Sequence, residues 1–256
     1  MRFSVIGPGR AGRSLAIALT RAGWELAATY GRGDDPGPAG GDGGGGSGGV
    51  GSGPEVDLVI IAVPDDAIAI VAAAVRPTDA AVLHCSGAKP LTVLAPHRRV
   101  GSVHPLISLP DPETGAERLA DGASFAVAGD RAAGEVVAAL GGRIIEVPDD
   151  RRALYHAAAS VGANHLVALC AQVERLADAA GVPVDAYWNL MAATLDNVRA
   201  TGARRALTGP AARGDLATIA AHLRAIDEAE HRLYLTLADA AADLADAPRP
   251  SDARER

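Results

Sequence analysis

Three stretches of this 256-residue chain carry residue types that can move a proton. His84 and Ser86 stand in His84-Cys85-Ser86-Gly87, and His104 opens His104-Pro105-Leu106. His156, Ser160 and Asn164 recur at i, i+4 and i+8. Imidazole suits proton transfer because its unperturbed pKa lies near neutrality. The i, i+4, i+8 spacing lays three polar groups along one drifting face of a helix, and such a stripe on an apolar helix is costly to bury without a partner or a purpose. Each group also has a plainer reading. The stripe could serve helix-to-helix hydrogen bonding, and histidines at strand ends could satisfy loop carbonyls.

Other chemistries are disfavoured by spacing. His156 and His165 are nine residues apart, as are His222 and His231, and nine steps of a helix set side chains on opposite faces. No metal is therefore expected, and His165, off the stripe, reads as structural. Cys85 and Cys170 lack CxxC spacing, which argues against zinc and a disulfide framework. Ser86 lacks the Gly-x-Ser-x-Gly elbow of a hydrolase nucleophile. Arg213-Gly214-Asp215, following Thr208-Gly209-Pro210, reads as a loop opening a helix. Its N–H groups and Arg213 could hold an anion, or the loop could be an ordinary interhelix turn.

The elements that must position these groups begin at the first residues. An apolar strand over 3–6 runs into Gly7-Pro8-Gly9-Arg10-Ala11-Gly12 and then a helical pattern over 14–19. Strand before and helix after make this a dinucleotide-binding fingerprint. Gly7 permits the tight turn, Gly9 lets the backbone approach a pyrophosphate, and Gly12 lets helix pack on strand. The second strand, Glu25–Tyr30, ends in Gly31-Arg32, and an arginine there matches the 2′-phosphate of NADP (NADPH) rather than NAD. The alternative is a solvated Arg32, with Asp34 or Asp35 taking the ribose.

Residues 36–54 are almost entirely Gly, Ser and Pro and are expected to form a flexible surface loop in place of a crossover helix. A continuous apolar run over 56–63 predicts a strand buried on both faces, ending at Val63-Pro64-Asp65, with Asp65 or Asp66 capping a helix over 67–75. Further strands are expected at 80–84, 100–105, 124–128 and 143–147, and a helix at 132–140. From Asp149 strand signals vanish. One long helix over 152–180, a break at Gly181-Val182-Pro183, and helices within 184–201 and 215–245, the last begun by Asp215 as N-cap, complete the pattern. The fold class expected is α/β: a Rossmann-like doubly wound, mostly parallel sheet over 1–148, followed by an all-α domain over 149–245 and a fraying tail over 246–256. In such a sheet the ligand crevice lies beyond the strand C-termini, so Val63, Pro64, Asp65, His84, Ser86, Gly87 and His104 should border it.

The net charge of −7 and the lack of a basic stripe argue against nucleic acid as partner. No 18-residue apolar span or signal peptide is visible, so no membrane is expected and a cytoplasmic location is. A small-molecule substrate is the remaining default. The Ala- and Leu-rich second half offers more apolar helix surface than one domain can cover, which predicts a homodimer through residues after Asp149.

These motifs together resemble a family of two-domain proteins with a Rossmann-like first domain and a helical, 6-phosphogluconate-dehydrogenase-like second domain of unassigned function. The residues that carry the resemblance are Val5 to Gly12, Ala62-Val63-Pro64-Asp65-Asp66, His84-Cys85-Ser86-Gly87-Ala88, His104-Pro105-Leu106, Tyr155-His156-Ala157-Ala158-Ala159, Asn164, and Ala206 to Pro210 through Arg213-Gly214-Asp215. By layout the family is similar to ketopantoate reductases, pyrroline-5-carboxylate reductases, prephenate dehydrogenases and β-hydroxyacid dehydrogenases. The resemblance implies NADP on Gly7, Pro8, Gly9, Arg10, Ala11, Gly12, Arg32, Val63, Pro64 and Asp65, and reduction of a small 2-oxo or imino acid, ketopantoate first among them. Ser86, Gly87 and Arg213 would bind substrate. The Ser160 and Asn164 pair falls where the β-hydroxyacid group carries a catalytic Lys and an Asn four residues later; Ser in place of Lys moves the proton donor toward His156 or a strand-end histidine. The alternative function is a non-catalytic NADP-binding sensor.

Overall fold

The computed structural model describes residues 1–34, 56–76 and 79–253. The chain divides into two compact units, Met1–Ala163 and Asn164–Arg256. The expectation of a flexible loop over 36–54 falls outside the described residues.

The first unit is a seven-stranded sheet. Its strands are β1 (Arg2–Ile6), β2 (Glu25–Tyr30), β3 (Leu58–Ile61), β4 (Ala81–His84), β5 (Val100–Pro105), β6 (Ser124–Gly129) and β7 (Arg143–Glu146), in the spatial order β2-β1-β3-β4-β5-β6-β7. Every pair is parallel except β5 with β6, which run antiparallel. The sheet is thus the mostly parallel one expected. Between β1 and β3 the order of connection reverses, which makes their shared C-terminal ends the switch point where such sheets bind ligands.

Alternation along the strands builds two cores. Phe3, Val5, Leu58, Ile60, Leu83, Val103 and Phe125 point to one face. There they meet helices α1 (Arg10–Arg21), α3 (Pro112–Ala120) and α4 (Ala132–Ala139) through Leu15, Leu19, Leu119, Val136 and Val137. Ile6, Val59, Ile61 and Val82 point to the other face, against Ile68 and Ala72 of α2 (Ile68–Ala74) and Leu94 of the 3-10 turn Leu91–Leu94. β3 is buried at all four positions because both its faces are covered, and so it reads as an unbroken apolar run rather than an alternating one.

Helix α3 is absent from the sequence reading although its signal is present. Asp111 accepts hydrogen bonds from the amides of Glu113 and Thr114, and Pro112 occupies the first helical position. The cap expected from Asp65 or Asp66 does not form. Ala67, already in helical geometry, holds the N-cap position of α2 and its N–H bonds to the Pro64 carbonyl, so both aspartates remain exposed.

The long helix over 152–180 is also corrected. It comprises α5 (Arg152–Ser160), one π-helical turn (Val161–His165) and α6 (Leu166–Ala179). His156 and Ser160 stand on α5 at i, i+4, while Asn164 lies in the wider π turn that follows. The division between the two units falls inside this turn.

The second unit contains α6, α7 (Asp185–Thr201), the short α8 (Ala203–Ala206), α9 (Leu216–Ala225) and α10 (Glu228–Leu244). Asp215 caps α9 as expected, accepting from the Thr218 amide. The helical stretch expected within 215–245 consists of two helices that meet at Ile226-Asp227. Ile226 is extended there and Asp227 caps α10 by accepting from the Ala229 amide. Over its described length the tail contacts α10: Arg249 forks onto Asp243, the Ser251 amide bonds to Asp239, and Pro250 is buried. Ion pairing to α10 offsets the entropy that polar composition alone would leave unopposed.

Candidate active site

The glycine turn is built at the switch point by contacts that no side chain would allow. Gly7 has φ of +104°, its N–H donates to the Tyr30 carbonyl, and a Cβ there would lie 2.5 Å from the Ala62 carbonyl oxygen. A Cβ on Gly12 would lie 2.1 Å from the Gly7 carbonyl oxygen and 3.1 Å from Val5, so only glycine lets α1 descend onto β1. Gly9 is different: a Cβ there would meet nothing within 4 Å, and Pro8, Gly9 and Arg10 are exposed at the opening of α1. Among the described residues no side chain caps that helix. The first N–H groups of a helix have no partner within it, which is what a pyrophosphate requires.

At the end of β2 the turn Gly31-Arg32-Gly33-Asp34 lies beside this loop, with Gly31 close to Pro8. The Asp34 carboxylate accepts from the Gly31 amide at 2.6 Å. Asp34 is thus engaged in its own turn, while the Arg32 side chain is exposed. Asp35 lies outside the described residues.

The next two strand ends carry the histidines. His84 and Ser102 pair in register across β4 and β5, and by alternation with Leu83 and Val103 they and His104 share the second face of the sheet. His84 is 0% exposed. Its Nδ1 accepts from the Ser86 amide at 3.1 Å, so the ring is neutral with its proton on Nε2. Burial, reinforced by the Arg152 guanidinium, pushes its pKa down from 6.5 to about 4. Ser86 Oγ closes the turn by accepting from the amides of Ala88 and Lys89 at 3.1 and 3.0 Å. Burial pushes the Cys85 thiol up to about 12, which removes it as a nucleophile.

Gly87 brings the groups together. A Cβ there would lie 2.8 Å from His156 Cδ2 and 3.0 Å from His104 Cε1 and Nε2, so the Gly87 backbone sits directly against both rings. The two rings meet edge to face with centroids 5.9 Å apart. His104 Nδ1 lies 2.7 Å from the Tyr155 hydroxyl. Burial, then the neighbouring His156 and Arg152, push the His104 pKa down to about 4, and burial also raises that of Tyr155. The cluster is completed by Arg152, 1% exposed, whose Nη2 donates to the Ser86 carbonyl at 2.7 Å.

Of the residues singled out from sequence, the structure gathers His84, Ser86, Gly87, His104 and His156 in one place. Ser160 stands at the last position of α5, half-buried; Asn164 and Arg213 are exposed and belong to the second unit. Tyr155 and Arg152 were missed. Tyr155 had a signal, since it precedes His156 in a motif already noted. Arg152 had none in an arginine-rich chain. Among the described residues no group of three or more His, Cys, Asp or Glu could hold a metal ion, and no helix is long and apolar enough to cross a membrane.

Residues 124–241 match a family model described as Domain of unknown function (DUF2520). No curated protein sequence matches the chain. Among solved structures it is similar to a Bacteroides fragilis protein carrying the provisional description NADP oxidoreductase, with 21% identity, a TM-score of 0.77, and 94% of this chain and 98% of that one covered. It is similar as well to Plasmodium falciparum pyrroline carboxylate reductase with NADP bound, with 12% identity, a TM-score of 0.57, and 96% and 98% covered. A third is the Aspergillus terreus reductive aminase in complex with NADPH4, cyclohexanone and allyl amine, with 16% identity, a TM-score of 0.57, and 97% and 88% covered. The Rossmann-like fold, and the resemblance to a family of unassigned function built on it, are borne out.

Proposed function

We propose that this protein is an NADPH-dependent reductase of a small 2-oxo or imino acid, acting on a substrate held beside His104. The observation that carries the reading is the pairing of an open, uncapped glycine turn at the switch point with a cluster of neutral histidines at the ends of the neighbouring strands. The residues present fit the cofactor. Gly7, Gly9, Arg10, Ala11 and Gly12 would hold its pyrophosphate, Arg32 its 2′-phosphate, and Val63, Pro64 and Asp65 would flank it at the end of β3. Two of the structural neighbours are reductases named for cyclic-imine or amine chemistry, which supports the class of reaction.

Bound there, NADPH supplies a hydride to the carbon of a C=O or C=N bond. His104 does the rest. With Tyr155 donating to Nδ1, the imidazole presents an Nε2–H that polarises the substrate oxygen or nitrogen as a neutral donor. For an oxo acid this proton passes to the forming alkoxide as the Tyr155 proton moves to Nδ1; Nε2 then takes a proton from water and Nδ1 returns its own to the phenolate, which restores the starting tautomer. Gly87 lets the backbone come against the ring and leaves the donor unobstructed by a Cβ. His156 packs edge-on against His104 and limits its rotation.

The test is NADPH oxidation over a panel of oxo and imino acids, ketopantoate and pyrroline-5-carboxylate included. NADPH binding without oxidation of any member would favour the sensor reading. Arg32 decides the cofactor. NADP(H) is expected to bind at least tenfold more tightly than NAD(H), about 1.4 kcal/mol, and Arg32→Ala is expected to erase that difference in calorimetry. Equal affinities in the wild type would refute the assignment.

The second unit supports the homodimer. No residue of α7 is buried, and Leu190 and Leu195 are more than half exposed. Met191, Leu195 and Val198 follow at i, i+4 and i+7, the spacing of a helix face that docks. Light scattering should give twice the chain mass for the wild type and a lower mass for Leu195→Asp. The free cysteines and the NADPH assignment fit a cytoplasmic protein.

A further inference from the structure

We propose that Arg152 is a positioning residue: its guanidinium ties the Ser86-Gly87 turn to the first turn of α5 and sets a fixed cation beside the buried rings of His84 and His104. This goes beyond the reductase reading and does not depend on it.

The geometry is a chain of contacts through one residue. Ser86 is held at both ends, its N–H on His84 Nδ1 and its carbonyl on Arg152 Nη2. Gly87 follows directly and lies against His104 and His156. Releasing the Ser86 carbonyl therefore frees the segment that sets the spacing between the two rings. The same side chain begins the helix that carries Tyr155 and His156 three and four residues later, so turn and helix are registered by one bond.

The energetics argue against a merely structural role. Arg152 is buried, yet its Nε and Nη1 have no hydrogen-bond partner among the described residues. Among the described residues no carboxylate forms an ion pair with it, and Asp149 and Asp65 attract it only from further off; a cation buried in this way is costly, and an apolar side chain of similar length would fill the same volume without that cost. What the guanidinium adds is charge that persists at every working pH. Its neighbours are few. His84 faces Arg152, Asp65, Asp149 and His104; His104 faces His156, Arg152, Tyr155 and Asp65. Asp65 and Asp149 favour protonation of the rings that face them, and Arg152 opposes it from inside. Neutral rings are what the two Nδ1 contacts require: Nδ1 of His84 must accept from an amide, and that of His104 can accept from a phenol only while unprotonated.

The experiment is NMR of the full chain with ring-15N-labelled histidine, which reports the tautomer and charge of each ring without turnover or cofactor. In the wild type His84 and His104 are expected to remain neutral with the proton on Nε2 from pH 7 down to about 5. In Arg152→Met both titration midpoints should rise by about one pH unit, the effect of removing a single nearby charge. Arg152→Lys, which keeps the charge and loses the fork, should restore both midpoints while the amide of Gly87 exchanges with solvent about tenfold faster. Wild-type midpoints in Arg152→Met would overturn the proposal. Should Arg152→Met not fold, raised midpoints in Arg152→Lys would overturn it equally. A failure to find any NADPH-dependent reaction would count against the proposed function alone.

Discussion

His104→Ala is expected to lower kcat by about 10²- to 10⁴-fold while leaving NADPH affinity within a factor of two, the pattern of a group that acts in the transition state and not in cofactor binding. Without a Cβ on Gly87, which would lie 3.0 Å from it, the ring's Nε2 is left clear, and its Nδ1 is backed by Tyr155 at 2.7 Å, so the alanine variant removes both the donor and the route that resupplies it. Tyr155→Phe keeps the ring and deletes only that route, and should cost less, about ten- to a hundredfold. The comparison with His84→Asn separates the two strand-end histidines. His84 is 0% exposed and has its Nδ1 committed to Ser86, so its loss should act through the turn and through stability. A His104→Ala variant that retains full turnover on an identified substrate would move the chemistry to His156 and refute the assignment.

Stability is expected to fall as pH drops from about 6.5 toward about 4. The sign follows from the protons. In the folded chain His84 and His104 bind a proton only near pH 4, whereas in the unfolded chain they bind one near 6.5, so between those limits the unfolded state takes up protons and is favoured. Above that window the stabilisation is fully present; below it the loss is complete. For His84 the depression is worth on the order of 3 kcal/mol. Carboxylates held low by their own partners, such as Asp111 and Asp130, are ionised in both states over most of this window and enter only at more acid pH. Urea unfolding at pH 7.5 and 4.5 measures the effect. His84→Asn, which cannot titrate, should show a smaller difference between the two pH values than the wild type. An equal difference would mean that His84 is not held neutral by the fold.

The glycine turn and its strand and helix were readable because their constraints are local. Gly7, Gly9 and Gly12 answer to backbone geometry within a dozen residues: Gly7 sits in a crowded positive-φ turn, Gly9 has open space around it among the described residues, and Gly12 lets a helix press onto a strand. The buried strands were readable for a related reason. Continuous apolar runs such as Leu58–Ile61 belong to strands covered on both faces, and their pattern is set before any partner is known. Asp215 announced α9 through a cap that spans three residues.

Features decided by contacts distant in sequence were not readable. The π turn at Val161–His165 interrupts an α-helical periodicity that the residues themselves do not break. The tail is held by Arg249 on Asp243 and by Ser251 on Asp239, pairings that polar composition does not predict. Arg152 is the clearest case. Nothing in its neighbours marks it out from the other arginines, and its role arises only when α5 is placed against the end of β4, where its guanidinium meets a carbonyl 66 residues earlier in the chain. Local sequence determines which backbone shapes are allowed, because sterics and capping act over a few residues. Which charges end up buried together is settled by packing, because desolvation acts only when the fold has closed around them.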